Sequence, residues 1–425
     1  MIINSRCRIC QSDKLHKVID LGSQPPANAF LRPDQLDQPE ERFPLEMHVC
    51  GDCNLAQLIH VVDKEDLFSD YIYYTSGIPK VSPYWQGYAD QVAEQCLHDA
   101  NDFVVEVGSN DGLLLWSFKE KGFRTLGVDP AKNIAPIAES RGVRTVVDFF
   151  GEKVATDIVH QDGKAKLIIG NNVIAHINDH HDLCRGIKAL LADDGTFVLE
   201  APYLVDMIEH VTFDTIYHEH LSFLAVRPLI KLFEQFGLEV FDVHIVPAQG
   251  QSIRVFVGHA GAHEVKPSVQ ACVAKELELG LDKIETYMEL AKKVEHCKNA
   301  TLDILHGLKS SGERIAGYGA SAKGMTVLNY YHIGSDMLDF VMDELPSKEG
   351  LFTPGTHIPL ASKAYAEEHR PTSYLLLVWN YLPLVLAKEQ AFLAAGGKFI
   401  LPTGVVVDAQ GVHEAEYTEE EKVPA

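Results

Sequence analysis

Short apolar runs recur through the central part of the chain at intervals of about 20 residues, and this spacing restricts the fold more than any other feature. The runs lie at residues 103–107, 125–129, 143–147, 167–170 and 196–200. Segments long enough to form a helix separate them, which is the pattern of strand–helix units in a parallel sheet. Two later runs, 238–245 and 252–258, lack such a segment and predict an antiparallel pair at the sheet edge.

A second series of apolar runs follows a helical stretch that we predict at residues 268–310. These later runs lie at 314–319, 338–343, 374–380 and 398–401. Residues 1–70 contain few periodic runs and are predicted to be rich in loops. We therefore expect an α/β protein in three parts: a small module at 1–70, a Rossmann-like domain at 71–265 and a second Rossmann-like α/β domain at 266–425.

The 425 residues carry a formal net charge of −23, from 37 basic and 60 acidic side chains. Nucleic acids and anionic membrane surfaces attract basic proteins, so we expect neither as the main partner. No apolar run reaches the roughly 18 residues that would cross a bilayer, and the first residues lack the apolar stretch of a secretory signal. We expect a cytoplasmic protein. The acidic surface is compatible with a monomer, which is the state we expect.

Four cysteines form two Cys-x-x-Cys pairs, Cys7 with Cys10 and Cys50 with Cys53. Each pair can form a tight turn that directs both sulfurs at one point, and two such turns supply the tetrahedral sulfur set that zinc prefers. Four ligands leave no open position on the metal, so we predict a structural zinc ion that stabilises a segment too short for a large core. Two unrelated pairs, or one redox-active pair, are the alternatives.

A loop with two glycines follows the first run of the central series, in the sequence Glu106-Val-Gly108-Ser-Asn110-Asp-Gly112. Its spacing differs from the GxGxxG pattern of dinucleotide-binding folds. It is closer to the ExGxGxG loop of class I S-adenosylmethionine-dependent methyltransferases, with Asn110 at the middle glycine. NAD binding and a strand-to-helix turn without a ligand are the alternatives.

The next runs of the central series end in side chains that suit the same cofactor. Asp129 can accept hydrogen bonds from both ribose hydroxyls, Asp148 and Phe149 can contact the adenine, and Asn171 follows the fourth run. All of them lie at carboxyl ends of predicted parallel strands, the edge at which open sheets bind ligands. We predict that S-adenosylmethionine is bound by Glu106, Gly108, Asn110, Gly112, Asp129, Asp148, Phe149 and Asn171.

Histidines beside a carboxylate are the clearest candidates for acid–base chemistry. The segment 217–220 reads Tyr-His-Glu-His and follows the fifth run, and His176 lies five residues after Asn171. A histidine in this setting can titrate near neutral pH, as a general base must. A solvated polar loop is the alternative, because the chain contains 20 histidines.

A second loop, Gly317-Tyr-Gly-Ala-Ser321-Ala-Lys323-Gly324, follows a predicted strand and opens a predicted helix. Backbone N–H groups at a helix start, together with the Lys323 ammonium, can form an anion site, and a diphosphate fits this chemistry. A scaffold turn without a ligand is the alternative.

The order of these motifs resembles that of the nucleotide-sugar 3-C-methyltransferases of deoxysugar biosynthesis. The similarity covers nearly the whole chain and includes the cysteine pairs, the glycine loop, the tyrosine-rich segment 70–77, and residues 172–176, 215–222 and 317–324. It implies a zinc-binding N-terminal module, a class I methyltransferase domain and a C-terminal Rossmann-like domain, the last two enclosing a sugar nucleotide. The chain departs from the pattern at 249–254, where relatives more often carry a second glycine and a preceding histidine.

The resemblance also implies a reaction on a nucleotide-linked 4-keto-6-deoxyhexose. A base removes the proton at C3, and the resulting enolate carbon takes the methyl group of S-adenosylmethionine. The resemblance implies His220 as this base, with Glu219 orienting it. The remaining catalytic candidates are Tyr71, Tyr73, His176 and Tyr217, and the substrate-binding candidates are Asn172, Ser321, Lys323 and Arg254.

Three other functions stay open from the sequence. A sugar O-methyltransferase would deprotonate a hydroxyl group and need no ketone. A zinc-ribbon methyltransferase acting on another substrate, such as nucleic acid, is opposed by the net charge of −23. A non-catalytic scaffold that binds sugar nucleotides is opposed by the intact loop at Gly108–Gly112 and by Asp129.

Overall fold

Two units, each assembled from three segments of the chain, make up the fold. Unit 1 comprises Met1–Lys17, Met47–Asp206 and Glu219–Thr286, and unit 2 comprises Val18–Glu46, Met207–His218 and Tyr287–Ala425. The computed structural model describes residues 1–69, 71, 74–77, 81–248 and 250–414. Within these residues, no helix is both long enough and apolar enough to cross a membrane.

The strands and helices of the described residues are numbered in chain order. The strands are β1 Ile2–Ile3, β2 Leu15–Gln24, β3 Phe43–Cys50, β4 Ala56–Leu58, β5 His60–Val61, β6 Phe103–Val107, β7 Arg124–Val128, β8 Thr145–Val146, β9 Ala165–Asn171, β10 Leu191–Pro202, β11 Ser222–Phe223, β12 Leu238–Val246, β13 Ser252–His259, β14 Ile315–Tyr318, β15 Val341–Met342, β16 Leu360–Ala361, β17 Ser373–Leu376, β18 Lys398–Ile400, β19 Val405–Asp408 and β20 Gly411–Glu414. The helices are α1 Lys64–Phe68, α2 Val81–Cys96, α3 Leu113–Glu120, α4 Ala135–Ser140, α5 Glu152–Asp162, α6 His180–Leu190, α7 Leu204–His210, α8 Val226–Glu234, α9 Pro267–Glu278, α10 Ile284–Ser310, α11 Ala322–Tyr331, α12 Lys363–His369, α13 Leu382–Lys388 and α14 Gln390–Ala394.

Unit 1 contains a seven-stranded sheet in the order β12-β13-β10-β9-β6-β7-β8. The five strands from β10 to β8 are parallel, and β13 pairs antiparallel with both β10 and β12. Strand β6 is buried along its whole length. Helices cover both faces of such a sheet, so its central strands are mostly apolar rather than alternating between apolar and polar residues. Strands β7 and β8 lie on one side of β6, and β9 and β10 lie on the other, so the strand order reverses between β6 and β9. Open α/β sheets bind ligands at such a switch point.

Unit 2 repeats this architecture with a second seven-stranded sheet, in the order β16-β15-β14-β17-β18-β19-β20. The first five strands are parallel, and β19 and β20 form an antiparallel edge. Its core includes Ala316, Leu376 and Phe399. The switch point lies between β14 and β17. The α/β fold class expected from the sequence is therefore confirmed in both series of strands.

The structure corrects two details of the predicted elements. The helical stretch expected at 268–310 is two helices, α9 and α10, because Gly280 takes a left-handed conformation with φ +71° between them. Residues 1–70 are also richer in strands than expected, since β2 has 10 residues and β3 has 8. In unit 1, β3, β4 and β11 pair antiparallel in that order, so residues near position 222 join the N-terminal module in one small sheet.

Candidate functional site

The four predicted zinc ligands meet in one cluster. The sulfur atoms of Cys7, Cys10, Cys50 and Cys53 all lie within 4.8 Å of one another. The Sγ atoms of Cys7 and Cys53 are 3.4 Å apart and those of Cys10 and Cys50 are 3.5 Å apart, so the pairs are not disulfides. Sulfurs that surround a zinc ion at about 2.3 Å stand at comparable separations, and the set therefore fits a closed tetrahedral site.

The two cysteine turns share a local geometry. The N–H of Gln11 donates to the carbonyl of Cys7 at 3.0 Å, and the N–H of Asn54 donates to that of Cys50 at 2.9 Å. Gln11 and Asn54 both stand four positions after the first cysteine of their pair and both have φ near +60°. Asparagine adopts this left-handed conformation readily, whereas glutamine does so at some cost. The surrounding cysteine turn holds Gln11 in it.

The loop after β6 has the backbone that its glycines require. Gly108 and Gly112 have φ +68° and +72°, and Asn110 has φ +48°. A Cβ atom at Gly108 would stand 2.7 Å from a methyl carbon of Val173, so any other residue would displace Val173, which lies just after β9. The loop thus leads from the sheet into α3 with its backbone at the switch point.

Asp129 bonds to this loop through one carboxylate oxygen and to its own segment through the other. Oδ2 accepts from the N–H of Asn110 at 2.7 Å and Oδ1 accepts from the N–H of Ala131 at 2.9 Å. Each carboxylate oxygen retains a second lone pair, which suits the ribose hydroxyls expected here. Burial raises the pKa of Asp129, and the two backbone hydrogen bonds oppose that rise.

Glu106 lies in the sheet beneath the loop and is buried among other acids. Burial raises its pKa well above the usual value, and the charges of Asp129 and Asp111 raise it further. Its Oε2 has no hydrogen-bond partner within the described residues. Asp111 is fully buried, accepts from the N–H of Ser76 at 2.9 Å and pairs with Arg141 at 3.1 Å.

Thr75 and Ser76, which precede α2, bond to the glycine loop. The sequence did not predict this contact. The N–H and hydroxyl of Thr75 both donate to Oδ1 of Asn110, at 2.9 and 3.1 Å. Together with Ser76 on Asp111, these bonds hold the 3-10 turn Thr75–Gly77 against the loop. The hydroxyl groups of this segment are suitable partners for Asn110 and Asp111. The sequence could not predict the contact, because the partners are 35 residues apart and no motif spacing connects them.

The remaining predicted cofactor residues follow β8 or end β9, two parallel strands of the same sheet. Asp148 is exposed, and its Oδ1 accepts from the N–H of Phe149 at 2.8 Å. Lys64 lies 4.0 Å from the centre of the Phe149 ring. Asn171 accepts from the Tyr88 hydroxyl at 3.1 Å, while its Nδ2 and the Oδ1 of Asn172 lack hydrogen-bond partners within the described residues. These unpartnered amide atoms fit polar ligand groups at the switch point.

The candidate acid–base residues of unit 1 form one cluster. The rings of His176 and His220 meet edge to face, with centroids 4.9 Å apart. The Tyr71 hydroxyl donates to Oε2 of Glu219 at 3.3 Å, and Phe68 packs against both Tyr71 and His176. Burial lowers the pKa of His176 to about 4, although a hydrogen bond to the Asn172 backbone opposes the shift. The ring of His176 is therefore neutral near pH 7.

Two other predicted catalytic residues are Tyr217 and Tyr73. Tyr217 and His218 belong to unit 2, where His218 is buried and its Nε2 is 3.2 Å from the carbonyl oxygen of Phe43. Tyr73 lies outside the described residues.

Arg254 lies in a buried network rather than with a free guanidinium. It is 2% exposed, pairs with Glu200 at 2.8 Å and donates to Gln91 at 2.7 Å. Its guanidinium also lies 4.1 Å from the centre of the Tyr88 ring, and Tyr84 donates to Glu200. The guanidinium thus connects α2 to β10 and β13, and the prediction that Arg254 binds the sugar gains no support from this placement.

The loop after β14 places Ser321 at the start of α11. The Ser321 hydroxyl accepts from the N–H of Gly324 at 3.0 Å and donates to the carbonyl of Leu377 at 2.6 Å. Lys323 is 8% exposed, and its ammonium lies 5.7 Å from the centre of the Trp379 ring. A capped helix start with a buried lysine in its first turn is the arrangement expected of an anion site.

Comparison with known proteins identifies the class of enzyme. The C-methyltransferase NovU of Streptomyces niveus is 39% identical over 397 residues, which covers 93% of this chain and 94% of that protein. The chain belongs to this family of C-methyltransferases. Three family models match successive parts of this C-methyltransferase: a zinc binding domain at 7–68, a methyltransferase domain at 84–243 and a C-methyltransferase C-terminal domain at 247–403.

Solved structures of other methyltransferases resemble part of this C-methyltransferase. Magnesium protoporphyrin IX methyltransferase (ChlM) from Synechocystis PCC 6803 with bound SAH is 11% identical, covering 42% of this chain and 83% of that chain, with a TM-score of 0.33. The glycopeptide N-methyltransferase MtfA with sinefungin is 13% identical, covering 41% and 87%, with a TM-score of 0.33. The family assignment does not depend on these distant likenesses.

The protein is thus an S-adenosylmethionine-dependent C-methyltransferase with a zinc-binding N-terminal module. The family expectation, the cofactor and the zinc predicted from the sequence are confirmed. Transfer to carbon decides against the sugar O-methyltransferase and against the non-catalytic scaffold. When bound, the cofactor supplies an electrophilic methyl group on a sulfonium.

Proposed function

We propose that this enzyme methylates C3 of a nucleotide-linked 4-keto-6-deoxyhexose in deoxysugar biosynthesis, with His220 as the base that generates an enolate. The observation that carries the proposal is the cluster in unit 1 that combines His220, His176 and the hydrogen-bonded pair Glu219–Tyr71. It combines a base, a neutral imidazole and a carboxylate in contact with a phenol.

Methylation at a saturated carbon requires a base, and this cluster can supply one. A saturated C–H group is not nucleophilic, so a proton must leave before the carbon can attack a methyl group. An adjacent ketone makes this possible because the negative charge moves onto its oxygen. Groups that donate hydrogen bonds to that oxygen, when fixed in advance, each contribute about 3–4 kcal/mol of transition-state stabilisation.

In the proposed reaction His220 accepts the C3 proton and becomes an imidazolium. Glu219 adjoins it in the chain and can orient the ring and stabilise the positive charge, while Tyr71 keeps the carboxylate in place through the 3.3 Å hydrogen bond. His176 cannot serve as a cationic acid near pH 7 because its pKa is lowered to about 4. A neutral imidazole can still donate one hydrogen bond, so we assign His176 to the sugar and its developing oxyanion. The same role for Tyr73 and Tyr217 stays a prediction from the sequence.

The nucleotide part of the substrate is assigned to the loop after β14. Ser321 caps α11, and the largely buried Lys323 supplies a cation there, which together suit a diphosphate. Asn172 is assigned to the sugar because its Oδ1 lacks a hydrogen-bond partner within the described residues. We leave Arg254 out of the sugar contacts because its donors already bind Glu200 and Gln91. The three-part division at 1–70, 71–265 and 266–425, the cytoplasmic location and the monomeric state stay predictions.

Product analysis tests the proposal. A panel of nucleotide-linked 4-keto-6-deoxyhexoses, with dTDP or GDP as the nucleotide, is incubated with enzyme and S-adenosylmethionine and analysed by mass spectrometry. The same nucleotide sugars reduced to the 4-hydroxyl form are the controls. We expect a mass increase of one methylene unit with the ketones alone, and NMR of the product should place the new methyl on C3. A methyl on oxygen, or methylation of the reduced sugars, would refute the proposal.

Hydrogen exchange tests the enolate directly. The enzyme with SAH in place of the methyl donor should exchange the C3 hydrogen of the ketosugar for solvent deuterium, since proton removal precedes methyl transfer in the proposed order. Omitting the enzyme gives the background rate. A product methylated at C3 without detectable exchange above this background would contradict a free enolate.

A further inference from the structure

Arg8 stands between two zinc ligands, Cys7 and Cys10, yet its side chain turns into the protein. The residue is 3% exposed. Its Nη1 donates to the carbonyl of Leu221 at 3.1 Å, to the side chain of Gln57 at 3.2 Å and to the carbonyl of Leu58. Its Nε donates to Oδ1 of Asn178 at 3.0 Å.

Two of these contacts lie next to the acid–base histidines. Leu221 directly follows His220, and Asn178 stands two residues after His176. The two segments are also bonded to each other, since the N–H of Leu221 donates to the carbonyl of Ala175 at 2.8 Å. The guanidinium of Arg8 thus bonds to both of the segments that carry the histidines.

The neighbouring residue of the same cysteine turn makes a parallel connection. The carbonyl oxygen of Ile9 lies 2.7 Å from Nε2 of His181 and accepts from the side chain of Gln235 at 3.3 Å. His181 is the second residue of α6, the helix that follows Asn178 in the chain. The turn that holds the first zinc pair is therefore bonded at two successive residues to the segment that follows His176.

We propose that Arg8 is a positioning residue: held in place by the first cysteine pair, it sets the relative position of the segments that carry His176 and His220. The zinc module would then act on catalysis as well as on folding. The proposal rests on the assignment of these histidines to the reaction, and one of its readouts does not depend on that assignment.

The chemistry of arginine supports a positioning role over a role in packing alone. Burying a cation carries a desolvation penalty, and an apolar side chain of similar volume is often as stable or more stable at a buried ion site. What an apolar side chain lacks is the planar guanidinium with donors in fixed directions. Here the donors meet two carbonyls and two side-chain oxygens from three separate parts of the chain, at residues 57–58, 178 and 221.

The test compares Arg8→Met and Arg8→Lys with Arg6→Met in the zinc-loaded, full-length enzyme. Arg6 carries the same charge, also adjoins Cys7 and is exposed, so it is the matched control. We expect Arg8→Met to lower kcat about 10- to 100-fold with KM little changed, because small displacements of reacting groups have effects of this size. Arg8→Lys should fall between, and Arg6→Met should match the wild type.

Three further measurements separate positioning from loss of structure. Zinc content and SAH affinity should equal those of the wild type in Arg8→Met. The imidazole NMR signals of His176 and His220, assigned with His176→Asn and His220→Asn, should move in Arg8→Met and stay in place in Arg6→Met. Unmoved signals would overturn the proposal even if the proposed reaction is correct. Moved signals without any effect on turnover would instead refute the catalytic assignment of the histidines.

A second variant covers the case in which Arg8→Met fails to fold or loses zinc. Asn178→Ala removes one acceptor of the guanidinium and leaves the cysteine turn intact. It should shift the His176 signal and lower kcat at constant zinc content and SAH affinity. If Asn178→Ala leaves both the signal and kcat unchanged, Arg8 is a structural residue only.

Discussion

The proposed removal of a proton by His220 is the step that a single substitution tests most directly. We expect His220→Asn to lower kcat by about 10²–10⁴-fold, because asparagine keeps a hydrogen-bonding side chain but cannot accept the proton. SAH affinity should be unchanged, since the glycine loop and Asp129 are not altered. His98→Asn, at an exposed position, is the control. Near-normal turnover of His220→Asn with intact binding would remove His220 from the role of base.

Glu106 offers a second test at the scale of one residue, through the pH dependence of stability. Its pKa is raised in the folded protein by burial and by Asp129 and Asp111, from an ordinary value of 4.5. The folded state therefore holds the Glu106 proton more tightly than the unfolded state does. Its contribution to stability is complete below about pH 4.5 and is lost as the pH rises through the folded pKa.

Glu106→Gln should consequently gain stability relative to the wild type as the pH rises above 4.5. Urea unfolding of both proteins across a pH series, without cofactor, measures this difference. Glu120→Gln at the exposed end of α3 should show no such trend. A constant difference between Glu106→Gln and wild type over the series would mean that Glu106 is not held protonated by its surroundings.

At the scale of elements, helix α8 begins without a capping side chain of its own. Its N-cap is Ala225, and the cap comes instead from Glu276 of α9. The fully buried carboxylate accepts from the N–H groups of Val226 and Arg227 at 2.6 and 3.0 Å and from the Tyr203 hydroxyl at 2.8 Å. One carboxylate thus connects α9, the start of α8 and the end of β10.

We expect Glu276→Gln to lower the free energy of unfolding by about 1–3 kcal/mol, because the amide turns an N–H group toward a backbone N–H that then lacks an acceptor. Glu278→Gln, on the same helix but exposed, should change it little. Urea unfolding at pH 7 measures both variants. Equal stability of the two variants would show that Glu276 does not cap α8.

The elements also show which parts of the structure the sequence can predict. Strand β6 was expected at 103–107 and lies there, because a buried parallel strand appears in the sequence as a short, mostly apolar run, interrupted here only by Glu106. The break at Gly280 was missed because isolated glycines also occur within helices. Glu276 could not be assigned as a cap, since its partners are 49 to 73 residues away in the chain.

The same distinction holds for the candidate site. Residues that follow predicted strands could be placed at one edge of a sheet, and His176 and His220 do meet. The ion pair of Arg254 was not predictable from spacing, because it depends on the register that sets Glu200 opposite Arg254 on β10 and β13. The hydrogen bonds of Arg8 depend likewise on which carbonyls the folded chain presents.

At the scale of the molecule, the two units share one loop design, and we propose that each loop serves a different ligand. The N–H of Gly108 donates to Val128 at 2.8 Å, the N–H of Gly319 donates to Met342 at 2.7 Å, and an aspartate follows each acceptor. Asp343, the counterpart of Asp129, accepts from the Ala320 N–H at 2.7 Å and also contacts the ammonium of Lys348. A lysine therefore stands beside the carboxylate that would bind ribose hydroxyls, so unit 2 is not expected to be a second cofactor site.

This division of ligands predicts that the two binding functions can be altered separately. We expect Lys323→Met to raise the KM for the nucleotide sugar by about 10- to 100-fold, since hydrogen bonds to charged groups contribute about 1.5–3 kcal/mol. SAH should still bind with wild-type affinity and one site per chain, because its loop lies in unit 1. Lys292→Met, at an exposed position of α10, is the control. Calorimetry with SAH and with the free nucleoside diphosphate separates the outcomes: a loss of SAH binding, or unchanged diphosphate binding, would contradict this division of ligands.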